Sequence, residues 1–367
     1  MNYSLFSSES VCAGHPDKVC DQVSDAVLDA ALTLDPLSRV ACETMVTKNK
    51  LILAGEVTSK KTIDYEKVAR EVVESLGYNK NIYDFGPDNN YEVLIHEQSG
   101  EIALGVDDGG AGDQGMMFGY ACKETESLMP MPIMMAHDLC RGMDDLMTGS
   151  LPYLRPDGKS QVSIRYENGR PIEIVKVVLA KPFDSSFKSK DVLNDLYQLL
   201  LIPIFEKYHL PIIRLEKVVF NGTGKWEIGG PVADTGVTGR KIVVDGYGGM
   251  GRLGGGCFSG KDASKVDRSG AYVARFLAKQ VVAKGLSDRC EIQIAYAIGQ
   301  KEPVSKSVET FGTEKKSLKV INDFVWSIMP LDVENIIQKL DLRKPVFSQT
   351  ARYGHFGNGD YSWEGLI

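Results

Sequence analysis

Three times along the chain, a pair of alternating apolar and polar runs is followed by a segment whose apolar residues recur at helical spacing. The first pair runs from Arg39 to Val57, breaks at Lys48-Asn49-Lys50, and leads to a helix over Ile63–Leu76 that Gly77 stops. The second pairs Gln161–Tyr166 with Ile172–Ala180 around Asn168-Gly169, a dipeptide suited to a two-residue hairpin, before a helix over Ser189–Tyr208. The third pairs Glu291–Ile298 with Val304–Glu309 and continues into a helix from Glu314 to Ile328. Antiparallel hairpins backed by helices predict an α+β fold of sandwich domains, not a doubly wound parallel sheet. The repeat is architectural, because the copies share too little sequence to establish duplication.

Two more segments carry helical periodicity. One begins near Asp17 and places Val19, Val23, Val27, Ala30 and Ala31 on one face. The other, Met116–Met147, clusters Met129, Met131, Met134 and Met135 and is predicted as a core helix kinked by Pro130 and Pro132.

A chain of 367 residues suffices for two or three domains, and 43% hydrophobic with 25% charged residues is ordinary globular composition. The net charge of −7 argues against nonspecific nucleic-acid binding, so local basic clusters are read as small-anion sites. Cysteines 12, 20, 42, 122, 140, 257 and 290 are dispersed and never spaced as C-x-x-C, which suits reduced thiols in a cytoplasmic enzyme. The first residues show no signal-peptide pattern, and no apolar run reaches the roughly 18 residues of a membrane span.

The chemistry concentrates in glycine-rich loops. Gly254-Gly255-Gly256-Cys257-Phe258-Ser259-Gly260-Lys261-Asp262, followed by Lys265, Asp267 and Arg268, offers backbone N–H groups, cations and carboxylates suited to a metal-bound polyphosphate. It matches G-x-x-x-x-G-K, but Asp262 stands where a P-loop needs Ser or Thr, and no apolar strand precedes it. Gly14-His15-Pro16-Asp17-Lys18 places a histidine, a carboxylate and an ammonium at a helix N-terminus, although a plain capped surface helix gives the same letters. Gly110-Ala111-Gly112-Asp113-Gln114-Gly115 suits a mobile lid or a linker. Gly229–Lys241 ends in the cationic pair Arg240-Lys241, and Asp157-Gly158-Lys159 adds a further cation beside a glycine.

In this order, Gly14–Lys18, Gly110–Gly115, Gly229–Lys241 and Gly254–Asp267 resemble the signatures of the S-adenosylmethionine synthetase (methionine adenosyltransferase) family, over essentially the whole chain. The resemblance implies three similar α+β domains related by a pseudo-threefold axis: 1–98, 113–222 and 223–367, with a mobile active-site loop at 99–112. It also implies a homodimer or dimer of dimers with active sites between subunits, acting on no nucleic acid or membrane. The implied reaction joins ATP to L-methionine and cleaves the displaced triphosphate to phosphate and diphosphate. Such chemistry needs alignment and leaving-group stabilisation rather than a protein nucleophile.

Carried over residue by residue, the resemblance implies that His15 orients ATP and hydrogen-bonds the leaving oxygen, while Asp17 and Asp267 hold Mg2+, two ions per site. Lys18, Lys159, Arg240, Lys241, Lys261 and Lys265 would surround the polyphosphate. Glu43 would hold one K+, and Asp157, Lys225, Trp226, Asp234 and Cys257 would contribute to the ATP site. Glu56, Gln98, Asp234 and Lys265 would bind methionine, with Asp113 and Ser259 in support. The chain departs from the family pattern at Lys225-Trp226 (usually Arg-Phe), Cys257 (alanine), Gly222 (proline) and Gly246 (threonine), and in a shortened interval from Gln98 to Asp113. The glycine-lysine-aspartate cradle alone also admits an ATP-dependent phosphotransferase or a noncatalytic nucleotide-binding subunit.

Overall fold

The computed structural model describes residues 3–97, 110–359 and 361–367. Their strands form three mixed or antiparallel sheets. One has the order β1 (Tyr3–Val11), β6 (Lys159–Glu167), β7 (Arg170–Ala180), β8 (Val218–Phe220). Another is β4 (Asn90–His96), β3 (Lys50–Thr58), β2 (Arg39–Thr47), β9 (Gly236–Val237). The last is β11 (Ser305–Glu309), β10 (Arg289–Tyr296), β5 (Gly115–Cys122).

Each sheet carries one long helix. α1 (Pro16–Leu34) packs on β2 and β9, α3 (Met131–Thr148) on β1 and β6, and α5 (Val266–Ala283) on β5 and β10. Shorter helices α2 (Tyr65–Ser75), α4 (Ser189–Leu196) and α6 (Leu318–Ser327) lie farther along each repeat. Every repeat thus reads strand, long helix, hairpin. The hairpin builds the repeat's own sheet, but the leading strand joins another: β1 pairs with β6, β5 with β10, and β9 with β2. Sheet membership therefore crosses the sequence segments 1–98, 113–222 and 223–367 in a cycle.

The predicted hairpins form where the alternation places them. Asn49 (φ 55°) turns the first, and Asn168 (φ 51°) with Gly169 (φ 77°) the second, in the left-handed region those residues tolerate. The helix predicted over Ser189–Tyr208 is α4, a π-turn at Tyr197–Leu201 and a last helix Ile202–Lys207. Met116–Met147 needs correction: its first residues belong to β5, and the prolines start α3 rather than kink it. Pro130 is the N-cap and Pro132 lies in the first turn, where a missing N–H breaks no helical bond. α5 is buried almost all round, Arg268, Arg275 and Lys279 included.

Candidate active site

β1 ends at Val11, and a short turn delivers His15 to the N-cap of α1, where its Nδ1 accepts the Asp17 N–H at 3.2 Å. Burial holds the ring neutral, lowering its pKa to about 3, with Lys241 and Lys159 adding to the effect. A neutral imidazole that accepts at Nδ1 carries its proton on Nε2, leaving that N–H as the donor. Asp17 accepts the Val237 N–H at 3.0 Å and pairs with the Lys241 ammonium, while Arg240 Nη1 lies 3.4 Å from its other oxygen. Burial pushes the Asp17 carboxyl up, but the bonds from Lys241 and Val237 bring it below the usual range, so it is ionised.

Asp17 is the first rung of a ladder. Asp21 accepts the Gly239 N–H at 2.8 Å, Asp25 that of Gly260 at 2.8 Å, and Asp29 those of Phe347 and Ser348 at 2.9 and 2.8 Å. Carboxylates at four-residue intervals share one face of a helix, and here each holds a C-terminal loop against α1. That spacing was a readable signal for residues the sequence analysis did not single out.

The glycine nonapeptide lies beside this ladder. Lys261 Nζ meets Asp267 Oδ2 at 2.5 Å, and a Cβ on Gly256 would stand 2.0 Å from Asp267 Cγ, so only glycine admits the carboxylate there. Likewise a Cβ on Gly260 would fall 1.9 Å from the Cys42 carbonyl oxygen. Asp262 is scaffold: it accepts Val40 N–H at 2.7 Å and Ser264 N–H at 2.9 Å and binds the Lys265 ammonium. Cys257 borders Gly239, and Ser259 is buried with no partner for its hydroxyl among the described residues.

Lys18 differs from its expected place around a polyphosphate. Its side chain is fully buried and its ammonium points inward, 2.5 Å from Asp245 Oδ1 and 2.9 Å from Asp21 Oδ2. Asp157 is also committed, its oxygens accepting Gly158 N–H at 2.6 Å and Gly230 N–H at 2.7 Å, and burial raises it to about 6. Lys265, bound to Asp262, is similarly engaged. Lys159 is exposed at the start of β6, opposite Val11. Trp226 is half-buried, donating Nε1–H to the Ile228 carbonyl at 3.0 Å, and Lys225 and Asp234 are exposed. Glu43 is exposed on β2, Glu56 on β3 faces His96 Nε2 at 3.4 Å, and Asp113 is exposed. Gln98 lies outside the described residues. No three His, Cys, Asp or Glu side chains converge on a metal position among the described residues.

A neutral histidine, the ionised Asp17 and the cations Arg240, Lys241 and Lys261 stand beside glycine turns on this three-sheet α+β frame, a set of groups suited to a nucleotide polyphosphate. The N-terminal, central and C-terminal domain families of S-adenosylmethionine synthetase match residues 3–100, 108–226 and 228–365. An S-adenosylmethionine synthase of Desulforudis audaxviator (strain MP104C) is 48% identical over 381 residues, covering 98% of this chain and 95% of that protein. The chain belongs to the S-adenosylmethionine synthetase family. It is an enzyme of S-adenosylmethionine synthesis from ATP and L-methionine, and its family requires metal ions.

Proposed function

We propose that synthesis proceeds by attack of the methionine sulfur on ATP C5′, with the displaced triphosphate then hydrolysed to phosphate and diphosphate. The observation that carries this reading is the junction at Asp17, where one ionised carboxylate is shared by Arg240 and Lys241 beside the neutral His15. A thioether is a weak nucleophile, so the rate depends on alignment and on charge stabilisation at the leaving oxygens. His15 donates its Nε2–H to the oxygen that leaves C5′. Lys159, Lys241 and Lys261 neutralise the departing triphosphate, and Arg240, half exposed at the rim, follows it into hydrolysis. Lys18 acts from beneath, fixing Asp21 and Asp245 so that the loop from Gly239 to Asp245 is held. Trp226 stacks on the base, and Glu56 receives the methionine ammonium together with Gln98.

Asp17 and Asp267 fit Mg2+, which takes one or two carboxylates and completes its shell with phosphate oxygens and water. When bound, it supplies further charge neutralisation of the phosphates. Glu43 offers a hard oxygen for K+. The active enzyme is a cytoplasmic homodimer or dimer of dimers whose sites lie between subunits.

The test incubates the purified chain with ATP, L-methionine, Mg2+ and K+, and identifies products by mass spectrometry with a phosphate assay. Methionine-dependent S-adenosylmethionine with both phosphate and diphosphate is the expected result. ADP would establish a phosphotransferase, and ATP binding without turnover a noncatalytic subunit.

A further inference from the structure

The two turns that carry His15 and Lys159 interlock behind the site. Cys12 N–H donates to the Gly158 carbonyl at 2.9 Å, and a Cβ on Gly14 would stand 2.6 Å from the Asp157 nitrogen. A Cβ on Gly158 would meet Cys12 Sγ at 2.7 Å and Lys181 Cδ at 3.0 Å. Beneath this contact lies a fully buried ammonium. Lys181 Nζ donates to Asp144 Oδ1 at 2.7 Å and to the Asp157 carbonyl at 2.9 Å, with Cys12 Sγ at 3.7 Å. Asp144 in turn accepts the Ala13 N–H at 2.8 Å and the Tyr353 hydroxyl at 2.7 Å.

We infer that Lys181 and Asp144 are positioning residues that hold the His15 turn and the Lys159 turn in register for the ATP triphosphate. The inference rests on the proposed roles of His15 and Lys159. The geometry argues it directly: Ala13 is two residues before His15, Asp157 two before Lys159, and the Lys181–Asp144 pair touches the backbone of both. An ion pair placed only for stability has no need of those two backbone groups, and a buried pair is often no better than apolar packing. This pair instead satisfies one N–H and one C=O that the turns leave unpaired. Asp157 extends the chain of contacts, because its carboxylate accepts the Gly230 N–H at the start of the segment that ends in Arg240 and Lys241. Lys181 is fully buried and Asp144 nearly so, and both act through the turns.

The experiment compares the full-length wild type with Lys181→Met and with the double variant Lys181→Met/Asp144→Leu. Melting temperature, kcat, and KM for ATP and for methionine are measured below each melting transition. The double variant removes the unpaired Asp144 charge that Lys181→Met leaves buried, and it leaves the Ala13 N–H, the Asp157 C=O and the Tyr353 hydroxyl without partners, so its kinetics are read below its own melting transition. Its kcat/KM for ATP is expected to stay about 100-fold below wild type, the penalty typical of a displaced catalytic group, with KM for methionine within about twofold. Recovery of kcat/KM for ATP in the double variant would overturn the inference, and so would wild-type kinetics in a folded Lys181→Met. Where Lys181→Met does not fold, the double variant alone decides. A wild type that makes no S-adenosylmethionine would sink the proposed reaction instead. The clamp is then judged by calorimetric binding of the nonhydrolysable ATP analogue AMP-PNP with Mg2+, and equal affinity in wild type and double variant would overturn it.

Discussion

Asp25 on α1 receives both arms of the Arg268 guanidinium from α5, Nη1 at 2.7 Å and Nη2 at 2.8 Å, with both side chains fully buried. Arg268 also donates to the Lys261 carbonyl at 3.1 Å, and Asp25 accepts the Gly260 N–H. The pair therefore fixes the segment carrying Lys261 to the helix carrying Asp17. Planar bidentate geometry is what arginine supplies and lysine cannot.

Arg268→Leu leaves the Asp25 charge buried without its partner. Stability is expected to fall by about 3–5 kcal/mol, read from urea unfolding at pH 7. A loss under about 1 kcal/mol, the value of an exposed pair, would refute the importance of this bond.

Gly256→Ala drives a methyl group into the Asp267 carboxylate, whose oxygens would lie 2.1 and 2.3 Å from the new carbon. The obstacle is a side chain, so Asp267 swings away rather than the backbone unfolding, and it leaves Lys261. The expected result is a kcat about 100-fold lower with a nearly unchanged melting temperature. Full activity at limiting Mg2+ would remove Asp267 from the metal assignment.

Asp17→Asn keeps an oxygen for the Val237 N–H but gives Lys241, Arg240 and Mg2+ a neutral amide. The Mg2+ concentration for half-maximal synthesis should rise at least about tenfold, the loss that removing even an outer-shell partner of a metal site produces. An unchanged Mg2+ titration would contradict the role given to Asp17.

Acid stability should report the buried histidines. His137 is fully buried, and desolvation, with smaller contributions from Arg141 and Lys18, lowers its pKa to about 3. The unfolded chain protonates this ring near pH 6.5, so below that value the unfolded state binds the extra proton and the native state loses stability as pH falls. Integrated from pH 6.5 to 5.0, one such histidine costs about 1.6 kcal/mol. Asp245, raised to about 7, and Asp157, raised to about 6, act in the opposite sense because they take protons in the native state. In His137→Gln these two are unchanged, so urea unfolding at both pH values should show a loss smaller than that of wild type by about that amount. Parallel acid limbs would show that His137 is not held neutral.

Local rules reached much of this molecule. The asparagines at 49 and 168 mark hairpins because a short polar side chain tolerates positive φ, and His15-Pro16-Asp17 marks the start of α1 because each suits a first turn. Pairing of strands far apart in sequence was not legible, since β1 is a serine-rich run without strong alternation and β9 has only two residues. Nor was the direction of a side chain. Lys18 and Lys241 look alike as letters, yet one is sealed beneath the site and the other borders it, because Asp21 and Asp245 draw Lys18 inward.

The cyclic sharing of leading strands also governs how the chain must fold. β1 lies about 150 residues before its partner β6, and β2 waits for β9 near residue 236. The second and third repeats find their leading strands β1 and β5 already made, but the first repeat's sheet stays open along β2 until β9 arrives, and contacts of such long range are slow to form. The first repeat's sheet is thus closed by a strand of the C-terminal segment, which ties the helix carrying Asp17 to residues beyond 230 in time as well as in space.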